Sequence, residues 1–392
     1  MPMTSILLPD SETEIEAIVH EAAQSHSPLA IHGGGTRPIG KPVHADRTLS
    51  TKLLTGITLY EPSELVISAR AGTPLAEIQQ TLAANRQRLP FEPIDYRHLL
   101  GNHGIPTIGG VTASNSSGPR RIHSGAARDS LIGVRATTGR GETIKSGGRV
   151  MKNVTGYDFV KLLAGSWGTL AVLTEITYKL LPEAETELTL LLTGLSAECA
   201  VEAMTTALGT PFEVTGAAHL PATDGMPTRT ALRLEGFDAS VRYRTDRLYS
   251  VLQPFVAFET IAAEASRVLW ASIRDVEALE TPHDATIWRI SVRPTDGPRV
   301  GESLKAKLGS RVLYDWAGGL VWASAPADGD GGAAVVRGAV ASVGGHAMLV
   351  RGSPELRASV PVFEPESPGV AAMSRLIKAT FDPAGVLNPG RM

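Results

Sequence analysis

A single cysteine, Cys199, stands in a chain of 392 residues. That count excludes an internal disulfide and any iron–sulfur cluster drawing four thiolates from this chain alone. Long apolar runs are missing too: none approaches the roughly 20 residues a membrane-spanning helix needs. The opening Met1-Pro2-Met3-Thr4-Ser5 lacks the charged and apolar regions of a signal peptide, so a cytoplasmic location is expected, with any membrane association made through partners. Neither sign of charge dominates. The 37 Lys and Arg against 40 Asp and Glu leave a net charge of −3 and no general attraction to nucleic acid or anionic lipid, which points to a small molecule or another protein as partner.

Glycine is abundant, at 40 residues, with 26 prolines, and both lie between periodic apolar segments, the mark of a turn-rich folded chain. The length exceeds the roughly 250–300 residues at which a single core stops growing, so two domains are expected. In the N-terminal half, Ile15, Ile18, Val19 and Ala22 recur at helical spacing behind Ser11 and Glu14, a capping-box pair. A short strand, Leu29 to His32, runs into Gly33-Gly34-Gly35-Thr36, where the absence of side chains permits positive φ and close backbone approach. Leu65 to Arg70 reads as a strand leading through Gly72-Thr73-Pro74 into a helix. A second glycine- and serine-rich stretch, Thr107 to Gly118, reads as another candidate phosphate loop. A hairpin at Leu131–Thr137 and Glu142–Lys145, a short helix at Phe159–Leu163 and a long β-branched strand, Leu170 to Leu180, close this half. Beyond Pro182 the order becomes strand, helix, strand, strand, then helix, and similar elements recur from Thr286 to Val350. The pattern predicts two weakly similar halves forming one antiparallel sheet with helices on one face. A final helix spans about Gly369 to Thr380.

The glycine loops admit several chemistries. Gly35 to Lys41 fits the first seven positions of a Walker A loop, but Pro42 replaces the hydroxyl that would ligate Mg²⁺. The dinucleotide fingerprint of the Rossmann fold fails because Pro38 stands where its third glycine packs helix on strand. Either loop alone also reads as an ordinary turn. Two such loops about 75 residues apart, followed by Asn153-Val154-Thr155-Gly156-Tyr157-Asp158 and Gly168-Thr169-Leu170-Ala171-Val172-Leu173-Thr174-Glu175, are far more specific. Together with the tail Asp382-Pro383-Ala384-Gly385-Val386-Leu387-Asn388-Pro389-Gly390, they resemble the vanillyl alcohol oxidase and para-cresol methylhydroxylase (PCMH) family of FAD-binding proteins. Within it they are most similar to the FAD-binding E subunits of bacterial glycolate oxidases.

The resemblance implies an α+β chain. A two-subdomain PCMH-type FAD-binding domain would span 1–182 and an antiparallel-sheet, cap-like α+β domain 183–365, with a C-terminal helix and tail, 366–392, returning to the flavin domain. It implies FAD held by Gly33, Gly34, Gly35, Thr36, Arg37, Pro90, Gly109, Gly110, Thr112, Ser114, Asn115, Ser117, Gly118, Asp129, Gly168, Thr169, Glu175, Ile176 and Asn388. The physical basis is that a pyrophosphate needs converging N–H donors without bulky neighbours, which the glycines can supply, with hydroxyls and an arginine alongside. Arg37 also reads as a solvated surface arginine, Asp129 with Arg128 as a surface pair, and Asn388 as part of a turn. Some members attach FAD through a histidine in or beside the first loop. Here Gly35 and Thr36 follow Gly34 and Gly35, and His32 precedes the glycines, so the flavin is expected to be non-covalent.

The 2-hydroxyacid dehydrogenases of the family carry a His-Gly-Asp-Gly-Asn type motif and metal-binding histidines. No His-Gly-Asp occurs here, and His346 has no carboxylate or histidine near it at metal spacing, so no metal is expected and no catalytic base is assigned. The expected partners are a larger homologous FAD subunit and an iron–sulfur subunit of a glycolate oxidase complex, with a small 2-hydroxyacid such as glycolate or D-lactate as substrate. Tyr157, Arg289 and Arg293 could meet its carboxylate, but core or surface roles are the better readings. The alternatives are a stand-alone FAD dehydrogenase of another small alcohol or hydroxyacid, and a non-catalytic flavin-fold scaffold.

Overall fold

The computed structural model describes residues 5–148, 157–223, 225–255 and 258–392. Ser11 opens the helix Glu12–Ser25: its hydroxyl accepts the Glu14 N–H at 3.4 Å, while the Glu14 carboxylate turns back to the Asp10 N–H at 3.0 Å. Ile15, Val19 and Ala22 bury one face of this helix against Leu29, Leu49 and the tail residues Val386 and Leu387. The strand Leu29–His32 lies parallel to Arg47–Ser50, which pairs in turn with Ser5–Leu7. Asp382, almost wholly buried, accepts the Val386 and Leu387 N–H groups, and the tail then bonds along Leu29 through the Val386 carbonyl and the Asn388 N–H. The last residues of the chain therefore form an edge of its first sheet.

A five-stranded antiparallel sheet follows, in the spatial order Ile57–Glu61, Val66–Arg70, Ala171–Lys179, Leu131–Thr138, Thr143–Gly147. Ala171–Lys179, rich in β-branched residues, is its central strand, and its side chains pack with Ile78, Leu82 and Val111. The stretch Thr107 to Gly118 is not an open loop. Thr107 accepts the Gly110 N–H at 3.2 Å and caps a helix, Ile108–Ala113. The glycines hid this helix because their propensity is poor; what they supply is clearance, since a Cβ on Gly109 would lie 2.7 Å from the Ala71 carbonyl.

The remaining large sheet is antiparallel and eight-stranded, in the order Phe258–Ala262, Thr186–Thr193, Arg229–Gly236, Gly216–Leu220, Val312–Asp315, Leu320–Ala325, Thr286–Ser291, His346–Arg351. Each half runs strand, helix, strand, strand, helix, strand, and the two meet where His219 pairs with Tyr314. The first half also carries a helix not expected from the sequence, Ala263–Arg274, whose Trp270 is buried with its indole N–H on Thr189 at 2.7 Å. The architecture is mixed α+β.

A buried ionic cluster joins the eight-stranded sheet to the loops of the five-stranded one. Glu92 accepts from Arg233 at 2.8 and 2.9 Å and from the Arg120 backbone at 2.7 Å, while Glu235 accepts from Arg120 at 2.8 and 3.0 Å and from Arg88. Burial alone would raise the Glu92 carboxyl, but Arg120 and Arg233 together hold it at about 2.

Candidate functional site

Between the first sheet, the helix Ile108–Ala113 and the start of the central strand lies a cavity of about 310 Å³. Gly33 to Ile39 forms one wall, Thr107, Gly109, Gly110, Ala113 and Ser114 a second, and Trp167, Gly168 and Ala171 to Leu173 a third; Lys41, Arg357 and Arg391 complete it. The two glycine-rich segments need each other. A Cβ on Gly33 would lie 2.5 Å from Thr107 Oγ1, and one on Gly34 would lie 1.6 Å from the Ile105 carbonyl. Gly35 differs: nothing crowds it, but its φ of 73° is one that side chains disfavour.

Donor supply is uneven. The N–H groups of Gly34, Gly35 and Thr36 meet no acceptor among the described residues, and all three residues line the cavity. Those of Gly109 and Gly110 are already spent on Ala71 O at 2.8 Å and Thr107 Oγ1 at 3.2 Å. The first loop is therefore the donor wall, and the second segment offers bare backbone surface. Gly110 faces open space, for only Thr107 Oγ1, at 3.3 Å, would meet a Cβ there.

Three arginines border this space, and among the described residues none pairs with a carboxylate. Arg37 is buried; its amino groups reach Thr36 Oγ1 at 3.2 Å and the Ile94 carbonyl at 2.9 Å, and its Nε has no partner. Arg391 donates to the Ile39 and Arg37 carbonyls at 3.2 and 3.1 Å and stacks on Trp167 at 5.6 Å. Arg357 donates to the Pro38 and Gly40 carbonyls. Burial first, then the neighbouring Arg357, pushes Arg391 down to about 10, and burial likewise lowers Arg37. Buried cations without counter-charges are costly, and an anion in the cavity would relieve that cost. Free N–H groups, bare glycine surface and unpaired arginines are a donor set that suits a pyrophosphate.

Of the residues expected from sequence, the cavity gathers Gly33, Gly34, Gly35, Thr36, Arg37, Gly109, Gly110, Ser114 and Gly168. The others stand away from its wall. Thr112 bonds to Ile108 O and Tyr178 OH, both at 2.8 Å. Asn115 accepts the Arg128 N–H, Asp129 the Ala126 N–H, and Ser117 a guanidinium N–H of Arg121. Pro90 is buried, a Cβ on Gly118 would press on the Glu92 carbonyl, Thr169 donates to Ser166 O, and Glu175 and Ile176 pair with Arg70 and Ala69 in the sheet. Asn388 acts one step removed: its Oδ1 accepts the Ile31 N–H at 2.7 Å and its Nδ2 donates to Trp167 O at 2.9 Å, clamping two walls together. Tyr157 is exposed and Arg293 pairs with Asp296; Asn153 to Gly156 lie outside the described residues. Sequence reading missed Lys41, Trp167, Arg357 and Arg391. Of these Lys41 carried a signal as the last residue of the rejected Walker A match, and Arg391 through its place directly after Asn388-Pro389-Gly390.

Residues 3–147 match the family model described as FAD binding domain. The glycolate oxidase subunit GlcE of Escherichia coli (strain K12) is 34% identical over 375 residues, covering 95% of both chains. The glycolate oxidase subunit GlcD of Bacillus subtilis (strain 168) is 26% identical over 67% of this chain and 54% of its own. A solved alkyldihydroxyacetonephosphate synthase superposes with a TM-score of 0.71 over 98% of this chain and 75% of its own at 16% identity, a likeness of fold. With a relative this similar along nearly its whole length, the chain belongs to the family of the glycolate oxidase subunit GlcE.

Proposed function

We propose that this chain is the FAD-carrying subunit of a glycolate oxidase complex and supports oxidation of glycolate, or D-lactate, to the 2-oxoacid. The observation that carries the reading is the cavity, whose wall holds both the N–H groups of Gly34, Gly35 and Thr36, without acceptors among the described residues, and arginines without carboxylate partners among them, in a chain of an FAD-binding family. Gly33 to Arg37, with Arg357 and Arg391, would hold the pyrophosphate, while Gly109, Gly110, Ser114 and Gly168 leave room beside it. Bound FAD supplies a two-electron acceptor for alcohol oxidation. The chain's own residues bind and orient it and keep water from the walls. In this proposal 1–182 is the flavin domain, 183–365 the cap-like domain and 366–392 the returning helix and tail. The flavin is held without a covalent bond.

Partners follow from the same reading. One cysteine cannot ligate a cluster able to take single electrons from a reduced flavin, and among the described residues no three His, Cys, Asp or Glu side chains converge as metal ligands. A larger flavoprotein subunit and an iron–sulfur subunit therefore complete the assembly. No helix among the described residues is long and apolar enough to cross a membrane, so in this proposal the chain is cytoplasmic and membrane contact runs through partners. The test compares dye-linked glycolate oxidation by the isolated chain and by the reconstituted complex at equal flavin content. Little or no turnover by the chain alone and full activity in the complex is expected; equal turnover per flavin in both would overturn the subunit assignment.

A further inference from the structure

On the strand Thr286–Ser291, side chains alternate between two faces. Trp288 points into the core and donates its indole N–H to Gly331 O at 2.9 Å, whereas its neighbour Arg289 points the other way. There its guanidinium lies 5.0 Å from the ring of Trp316 and 6.0 Å from that of Trp322. Trp316 sits in a tight turn of positive φ and reaches across to the flavin-cavity half of the molecule, donating its indole N–H to Gly118 O at 3.1 Å. A second guanidinium, Arg121, lies 5.0 Å from the same Trp316 ring.

Two arginines thus flank one indole, and among the described residues neither is in an ion pair. The Arg289 guanidinium makes no hydrogen bond to another described residue, and that of Arg121 makes one, to Ser117 Oγ at 3.3 Å. Asp315, the carboxylate adjoining Trp316, is buried and turns its Oδ1 to the Trp316 N–H at 2.7 Å instead. Tyr96 completes the group. Its side chain is buried, its hydroxyl has no partner among the described residues, and Arg37 of the cavity wall stacks on its ring at 5.6 Å. The group therefore adjoins the cavity through Tyr96. Like-charged guanidinia at close range repel each other, and stacking on indole rings offsets only part of the hydration that an arginine without a carboxylate or carbonyl partner loses; a bound anion would offset the rest.

We propose that Arg289 and Arg121, walled by Trp316 and Tyr96, form a binding site for a small carboxylate beside the flavin cavity. The inference deepens the functional reading above and rests on it: recognition of the 2-hydroxyacid is then not confined to a partner subunit. Oxalate, flat and unable to be oxidised by loss of a hydroxyl hydrogen, is the probe. The flavin-containing chain is titrated with oxalate at constant ionic strength, followed by tryptophan fluorescence and calorimetry, alongside the Arg289→Met and Arg121→Gln variants and a parallel titration with phosphate. Saturable oxalate binding by the wild type, weakened about tenfold or more in each variant and not matched by phosphate, is the expected result. Undiminished binding in both variants, equal binding of phosphate, or no saturation in the wild type overturns the site. Circular dichroism reports whether each variant folds; should Arg289→Met unfold, Arg121→Gln alone decides. Acid-released FAD, measured on every sample, separates the two readings. A wild type full of FAD that ignores oxalate refutes only the carboxylate site, while a flavin-free wild type whose oxalate response depends on Arg289 refutes only the flavin reading.

Discussion

Gly109 and Gly110 are adjacent on one short helix, yet valine at each should do opposite things. At Gly110 a new Cβ meets only Thr107 Oγ1, at 3.3 Å, a side-chain atom that can shift by a few tenths of an ångström. The backbone there is helical, without positive φ, so replacing glycine costs the fold little; Gly110→Ala would gain up to about 0.5–1 kcal/mol. The two γ-methyls of valine would extend into the cavity instead. Forcing them into space filled by ligand costs roughly 1–3 kcal/mol, and at about 1.4 kcal/mol per tenfold that is about 5- to 150-fold weaker FAD binding. At Gly109 the Cβ would lie 2.7 Å from the Ala71 carbonyl and 2.8 Å from Ala71 Cβ, and that same carbonyl accepts the Gly109 N–H. Relief there requires backbone movement, so Gly109→Val should lose several degrees of Tm in the flavin-free chain. The assay pairs thermal melting of deflavinated protein with FAD titration. Wild-type FAD affinity in Gly110→Val would refute the placement of the cofactor, and equal instability of the two variants would refute the clearance argument.

Acid precipitation should leave all the flavin in the supernatant as FAD; flavin retained by the pellet contradicts non-covalent binding, and released FMN contradicts the dinucleotide. Arg233→Met leaves Glu92 and Glu235 to share Arg120 and Arg88 inside the ionic cluster and should cost about 3 kcal/mol in urea unfolding, part of which Glu92→Gln in the same chain should restore; an unchanged midpoint would show that the cluster bears no load. Asp315 supplies a pH signature. Burial raises its carboxyl from 3.8 to about 7, so between those values the folded chain holds a proton that the unfolded chain has lost, and stability falls as pH rises. Asparagine keeps the acceptor for the Trp316 N–H and removes the titration. Asp315→Asn should therefore gain on wild type between pH 5 and pH 8, and a pH-independent difference between the two would refute the assignment.

The first helix was legible because its signals are local: Ser11 and Glu14 lie within one turn of the residues they cap, and Ile15, Val19 and Ala22 repeat at the helical period. The strand and glycine loop after it were legible for the same reason, and so was the family. The helix Ile108–Ala113 was not, since glycine propensity argues for a loop and only the close approach to Ala71 and Gly33 explains why glycine is present in a helix. Thr112, Asn115 and Asp129 carry a hydroxyl, an amide and a carboxylate suited to a ligand, but hydrogen bonds to Tyr178, Arg128 and Ala126 already engage them. Composition reveals which groups a segment owns, not which have been spent.

That distinction explains why Arg357 and Arg391 escaped sequence reading, while Arg37, next to the first glycine loop, did not. The chain has nearly equal numbers of acidic and basic residues, and an arginine in a string of letters is as readily a surface pair as a ligand. What sets Arg37, Arg289, Arg357 and Arg391 apart is that among the described residues none of them forms an ion pair, while Arg88, Arg120 and Arg233, no different in sequence, are drawn onto Glu92 and Glu235. Pairing is decided by contacts such as that of Arg391 with the Ile39 carbonyl, 352 positions away, and by strands that turn Arg289 from the core its neighbour Trp288 fills. Around Arg37, Arg357 and Arg391 this leftover positive charge sits beside a loop whose Gly34, Gly35 and Thr36 N–H groups meet no acceptor among the described residues. The two deficits, of counter-charge and of hydrogen-bond acceptors, coincide in one cavity, and a single anionic ligand satisfies both.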